Sequence, residues 1–391
     1  MKTRYFPALL TALCGWLLLS VPGNAQISES GKARIDSTAL NEGRSVLVND
    51  RLNLVLDSSR SSLDIVGLSA AIAWSDGRIW TAVSGRSTSE QLIRNNMLFG
   101  IGSATKTYVA ALILKYVEKG LLKLDDSVAN WLTDPPVDLP NITIRQLLNH
   151  TSGLYNYMAH PDYNAALYAY PDTVWSAPTL LGSFMQAPYA GPGESWHYSA
   201  ANYLILGMLV EKLTGNAVHD EIQRELLQPL DLCDTYLYPQ QLYDASRMAH
   251  LWMVLDSNGV PMDVNTLVGH PPHRGMFSSV WTAGAINATA LDAATWLTGL
   301  FAGRLLTETS LHEMIRPVSL SGTAKYGLGI MTEEIDGVQA IGHSGGIGYS
   351  SEILYFPSDS LSIVVLCNCE ADPTPIVAAL YKEIERKADF N

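Results

Sequence analysis

The order of hydrophobic periods along the chain predicts an α+β fold, with one antiparallel sheet built from both chain ends, flanked by helices, and an all-helical subdomain inserted between them. Three observations carry this. Residues 66–84 and 338–368 alternate with the period of strands, the long middle reads as helices broken at proline and glycine, and an apolar content of 47% in 391 residues supplies a sizeable core. The expected boundaries are an α/β part at 41–123 and 325–391 and a helical part at 124–324, with residues 26–391 forming one domain.

Residues 1–25 read as a secretory signal peptide. Lys2 and Arg4 precede an apolar run from Ala8 to Val21, and small residues at Gly23 and Ala25 suit cleavage after Ala25. The run is short for a membrane span. The expectation is a secreted, periplasmic protein with no stable span after cleavage, and Leu13 before Cys14 argues against lipidation. The mature chain keeps Cys233, Cys367 and Cys369, an odd number with the last two too close for an ordinary bridge, so no disulfide framework is indicated. The formal charge of -13 argues against nucleic acid and anionic lipid as partners.

Each element has a local reason. Val48, Leu52 and Val55 form a helical stripe that suits an N-terminal helix packed on a sheet. Val66–Trp74 and Arg78–Ser84 read as strands joined by Ser75-Asp76-Gly77, a hairpin signal. An apolar helix follows from Tyr108 and ends near Gly120. After the helical middle, 338–343, 350–355 and 361–368 read as three strands, the last two joined across Pro357-Ser358-Asp359, and 373–386 as a closing helix.

The stretch that carries chemistry is Phe99-Gly100-Ile101-Gly102-Ser103-Ala104-Thr105-Lys106. Ser103 and Lys106 stand three residues apart at a helix start, on one face. A serine hydroxyl is a weak nucleophile until a neighbouring base takes its proton, and a lysine losing hydration at an apolar helix start becomes such a base. The helix N-terminus also supplies free backbone N–H groups for an oxyanion. By spacing alone the same pair also reads as an N-cap serine and a solvated lysine.

The other segments decide between the two. With Leu124-Asp125-Asp126-Ser127-Val128, Leu147-Leu148-Asn149-His150-Thr151-Ser152-Gly153-Leu154, Pro192-Gly193, Tyr198-Ser199 with Tyr203, Tyr326-Gly327-Leu328-Gly329 and His343-Ser344-Gly345 in the same order, the chain resembles the serine β-lactamase and penicillin-binding-protein superfamily. The branch is that of class C β-lactamases, D-alanyl-D-alanine carboxypeptidases and family VIII carboxylesterases. The resemblance implies a β-lactamase/transpeptidase-like fold and a cofactor-free serine hydrolase with no metal. It makes Ser103 the acylated nucleophile, Lys106 its proton partner and Tyr198 a general acid and base whose phenol pKa is lowered by the lysine. It pairs the Ser103 and Gly346 N–H groups as the oxyanion hole and places His343, Ser344 and Gly345 where a substrate carboxylate binds.

One departure stands out: Ala200 occupies the place of the family's common asparagine in Tyr198-Ser199-Ala200-Ala201-Asn202. It leaves the nucleophile and base intact and puts amide and β-lactam recognition in doubt. The expected substrate is a small molecule or peptide. A carboxypeptidase-like peptidase on a carboxylate-bearing substrate comes first, a carboxylesterase second, a class C-like β-lactamase third, and a penicillin-binding sensor without turnover is the non-enzyme alternative.

Two rival signals fail. Gly342-His343-Ser344-Gly345-Gly346 fits the nucleophile elbow of α/β-hydrolases, but no histidine follows it and a strand, not a helix, comes next. His270-Pro271-Pro272-His273 suits a rigid loop better than a metal site, with no carboxylate or cysteine cluster beside it.

Overall fold

The computed structural model describes residues 37–132, 137–139, 141–255, 259–268, 274–318 and 325–388. The signal-like segment, Pro135-Pro136 and His270-Pro271-Pro272-His273 lie outside them. The chain divides into two units, 1–46 and 47–391, and of the first only the opening turns of the helix α1 (Ser37–Ser62) are described.

Seven strands form the main sheet: β1 (Gly67–Trp74), β2 (Ile79–Gly85), β6 (Lys325–Tyr326), β7 (Met331–Ile335), β8 (Val338–Ile347), β9 (Tyr349–Phe356) and β10 (Leu361–Cys367). Their order is β2-β1-β10-β9-β8-β7-β6, antiparallel throughout, so strands from the two ends of the chain meet where β1 pairs with β10. Side chains alternate between faces. Leu68, Ala70, Ile363 and Val365 point to a core with Leu52 and Leu56 of α1 and with Ile376, Val377 and Leu380 of the C-terminal helix, Thr374–Ala388. Ala71, Ala73, Val364 and Leu366 point the other way, into the larger core.

That larger core is organised by α2 (Thr105–Glu118), whose residues from Thr105 to Leu114 are all buried. A helix apolar on every side is a central one. Tyr108 stacks on Trp296 at 3.9 Å, and the Trp296 indole donates to Thr107 Oγ1 at 3.0 Å, which fixes the helix lengthwise. Beside it runs α3 (Ala201–Thr214), closed by Gly215 in the left-handed conformation, and a short helix α4 (Trp281–Gly284).

The middle of the chain is not all helical. Phe99–Gly100 (β3), Thr235–Leu237 (β4) and Ile286–Ala288 (β5) pair as a small antiparallel sheet, and Trp252–Val254 pairs with Pro261–Asp263. Strands of two or three residues have no period to read, because what stabilises them is pairing with distant segments. The three described cysteines are free. Among the described residues no helix is long and apolar enough to cross a membrane.

Candidate active site

Ser103 lies in a single 3₁₀ turn, Gly102–Ala104, that leads into α2. The turn is held against the sheet. Gly102 has φ +51°, and a Cβ there would stand 2.6 Å from the Gly346 nitrogen and 3.0 Å from the Gly345 carbonyl carbon. A Cβ on Gly345 would come within 1.9 Å of the Ile101 carbonyl oxygen, which already accepts the Ser351 hydroxyl at 2.9 Å. Only glycine permits so close an approach of two backbones. It brings Ser103 and Gly346 together.

Lys106 Nζ lies 3.1 Å from Ser103 Oγ and donates to the Ala283 carbonyl of α4 at 2.6 Å. The side chain is only 1% exposed, and burial lowers its pKa to about 7. The Tyr198 hydroxyl donates to Ser103 Oγ at 2.7 Å. A neutral Lys106 thus has its lone pair free for the serine proton while one of its own N–H groups is held by Ala283. Serine, lysine and tyrosine are brought together as the motifs implied.

The state of Tyr198 differs from expectation. Lys106 Nζ stands over the tyrosine ring, 4.9 Å from its centroid, rather than beside the hydroxyl. Burial raises the phenol pKa above its ordinary value, a larger influence than the Ser103 hydrogen bond that lowers it. Tyr198 is therefore a phenol at neutral pH, with a proton to give.

His343 also departs from the reading that it holds a carboxylate. It is 3% exposed, and burial, with the Lys106 charge nearby, lowers its pKa to about 3. Its Nδ1–H donates to the Ser344 carbonyl at 2.6 Å and its Nε2 accepts from Tyr326 at 3.0 Å. A neutral ring with both nitrogens engaged offers no cation. Ser344 is half-exposed on β8 and Gly345 is packed on Ile101, so neither gives the site a positive charge.

Behind Tyr198 runs a hydrogen-bonded chain that the motifs did not assign. His150 Nδ1 accepts from the Ser199 N–H at 3.2 Å and from Asn202 Nδ2 at 3.0 Å. Its proton is thereby fixed on Nε2, directed to Tyr326 at 3.2 Å, and Tyr326 in turn donates to His343. The His150 ring lies 4.3 Å from that of Tyr198, and burial keeps it neutral. Asn202 is spent on this support, with Oδ1 accepting from Ser152 at 2.7 Å, so it does not replace the side chain missing at Ala200. Both His150 and Tyr326 lie in quoted motif segments, which was the available signal.

Two cavities meet at Gly346–Gly348. One, of about 780 Å³, holds Ser103, Tyr198, His343 and Ser344. The other, of about 430 Å³, is lined mainly by apolar side chains, among them Met158, Leu167, Leu251, Val264, Met276 and Ile347. A Cβ on Gly346 would meet nothing within 4 Å, so the space above its backbone is open. Among the described residues no three His, Cys, Asp or Glu side chains converge to hold a metal ion.

The Beta-lactamase family model matches residues 55–385. Penicillin-binding protein 4* of Bacillus subtilis (strain 168) is 27% identical over 309 residues, covering 76% of this chain and 66% of its own. Esterase EstB of Burkholderia gladioli is 30% identical over 217 residues, 52% of this chain and 54% of its own. A solved D-stereospecific amidohydrolase from Streptomyces sp. superposes with TM-score 0.74 at 27% identity, covering 85% of this chain and 97% of that one. The chain spans between half and two thirds of the length of these two curated relatives.

Proposed function

The chain belongs to the Beta-lactamase family, whose relatives here are serine hydrolases, and from that premise we propose that it cleaves an ester of an apolar acyl group through an acyl-enzyme on Ser103. The observation that carries this is Ser103 Oγ lying 3.1 Å from a lysine nitrogen whose pKa is lowered to about 7 and 2.7 Å from a tyrosine that keeps its proton. Lys106 takes the serine proton as the oxygen attacks. The N–H groups of Ser103 and Gly346 hold the oxyanion, and Tyr198 protonates the departing oxygen. Water then releases the acyl group by the reverse proton path. Residues 1–25 support a secreted, periplasmic location.

The leaving group lies on the side of its proton donor, so the cleft containing Tyr198 takes it and the apolar cavity takes the acyl chain. Ester comes first because Ala200 offers no side-chain amide for a substrate amide and His343 offers no cation for a carboxylate. Amide cleavage is the second reading, favoured by the retained Tyr198 proton, which an amine leaving group needs more than an alkoxide does. The test is labelling with an octyl fluorophosphonate followed by peptide mapping. A single adduct on Ser103, absent from Ser103→Ala, is expected; labelling elsewhere, or none, overturns the assignment.

Gly102 tests the oxyanion hole separately. Gly102→Ala is expected to lower kcat for a p-nitrophenyl ester about 10²-fold, the usual cost of losing one oxyanion donor, with the far-UV circular dichroism unchanged. The added methyl forces Gly346 away from Ser103. Unchanged kcat would mean that the Gly346 N–H is not in the hole.

A further inference from the structure

The cleft that holds Ser103 and Tyr198 is also lined by Glu333, Glu352, Glu370 and Asp372, and by no lysine or arginine. Glu352 is the unusual member. It sits within a strand otherwise apolar or small from Tyr349 to Phe356, opposite Ser344 in the β8/β9 register. It is 3% exposed, its Oε2 accepts from Thr374 Oγ1 at 3.1 Å, and its Oε1 has no partner. Glu333 of β7 likewise has one buried oxygen without a partner. Among the described residues no cation lies within ion-pair distance of any of the four. A buried carboxylate without a partner is costly, and folded proteins pair such groups unless a ligand does so. As a protonated structural residue Glu352 would need an acceptor for its proton and no role in the cleft; burial, with Glu333 adding to it, does raise its pKa to about 8. That reading leaves unexplained why all four acids border the same cleft.

The sheet edge explains how they reach the reaction centre. The β7 pairing of β8 ends at Gly342, so among the described residues Ser344 to Gly346 have no strand partner on that side, while β9 pairs with them on the other. Ser344 and Glu352 lie on the face opposite His343, because side chains alternate along β8. The cleft runs from Ser103 over this edge to the carboxylates.

We propose that this acidic lobe is a subsite for an ammonium group carried by the leaving alcohol of the ester, and it rests on the assignment of this cleft to the leaving group. Glu352 and Glu333 form its floor, and the exposed Glu370 and Asp372 its rim. The substrate class is then an apolar acid esterified to an amino or quaternary-ammonium alcohol. A leaving group bearing a carboxylate is repelled by the same four residues.

The experiment compares two butyrate esters at pH 8.5, that of choline and its neutral isostere with 3,3-dimethylbutanol. The choline ester is expected to have a kcat/KM at least ten times higher, at an ionic strength held constant. Glu352→Gln should bring the ratio to within twofold of one. Because a buried variant can fail to fold, the rim double variant Glu370→Gln/Asp372→Asn is made as well and should lower the ratio severalfold. A ratio near one in the native enzyme, or a ratio unmoved in the folded variants, overturns the subsite while the hydrolase reading stands. Failure to turn over either ester overturns the ester reading and the subsite with it.

Discussion

Lys106→Met is expected to lower kcat/KM for a p-nitrophenyl ester by about 10³-fold or more, since it removes the general base and leaves Ser103 as an unactivated hydroxyl. In the native protein, kcat/KM should rise tenfold per pH unit below pH 7 and level off above it, because Lys106, with its pKa lowered to about 7, must be neutral to accept the serine proton. The groups around it do not obscure this step: burial keeps Tyr198 and Tyr203 protonated and His150 and His343 neutral across the range. The same variant reports on stability. Burial lowers the lysine pKa from 10.5 in the folded state, so below pH 7 the fold bears the whole cost of a buried ammonium, and the cost is relieved as pH rises from about 7 towards 10.5. Methionine removes that cost, on the order of a few kcal/mol, but leaves the Ala283 carbonyl without its donor, which offsets part of it. The readout is therefore the difference in Tm between variant and native protein, which should be more favourable to the variant at pH 6 than at pH 9. A difference independent of pH would show that Lys106 is an ordinary charged lysine in the fold.

The parts of this site that depend on neighbours in the chain were legible, and the parts that depend on which face a side chain takes were not. Ser103 and Lys106 are one helical turn apart, and a helix start sets their distance whatever surrounds it. The strands from Gly67 to Gly85 and from Val338 to Cys367 announce themselves by their period, and the family order of motifs tied them into one sheet. Tyr198 was found by its motif, yet its proton state turns on Lys106 standing over the ring instead of at the hydroxyl, a tertiary detail. His343 reads as a basic residue in sequence. Its burial beneath Tyr326, with one nitrogen donating to its own strand and the other accepting, makes it a fixed neutral support. Glu352 had a visible signal, an acid among the residues Tyr349 to Phe356 of a core strand, but only the register opposite Ser344 shows where it points.

Tyr198→Phe separates proton delivery from everything else the ring does. Phenylalanine keeps the face that covers His150 and the surface against which Lys106 Nζ rests, while removing the hydroxyl that donates to Ser103. With the lysine still 3.1 Å from Ser103 Oγ, attack itself proceeds. A p-nitrophenolate leaves without a proton, so kcat/KM for the p-nitrophenyl ester should fall only about tenfold. An alkoxide leaving group must be protonated as the bond breaks, and the ethyl ester of the same acid should lose about 10³-fold, within the range that a positioned general acid contributes. The gap between the two losses is the measure of Tyr198 as an acid. Equal losses on both esters would instead make it the base that activates Ser103 or a residue that merely positions it. The first of these is already opposed by the burial that holds its proton in place.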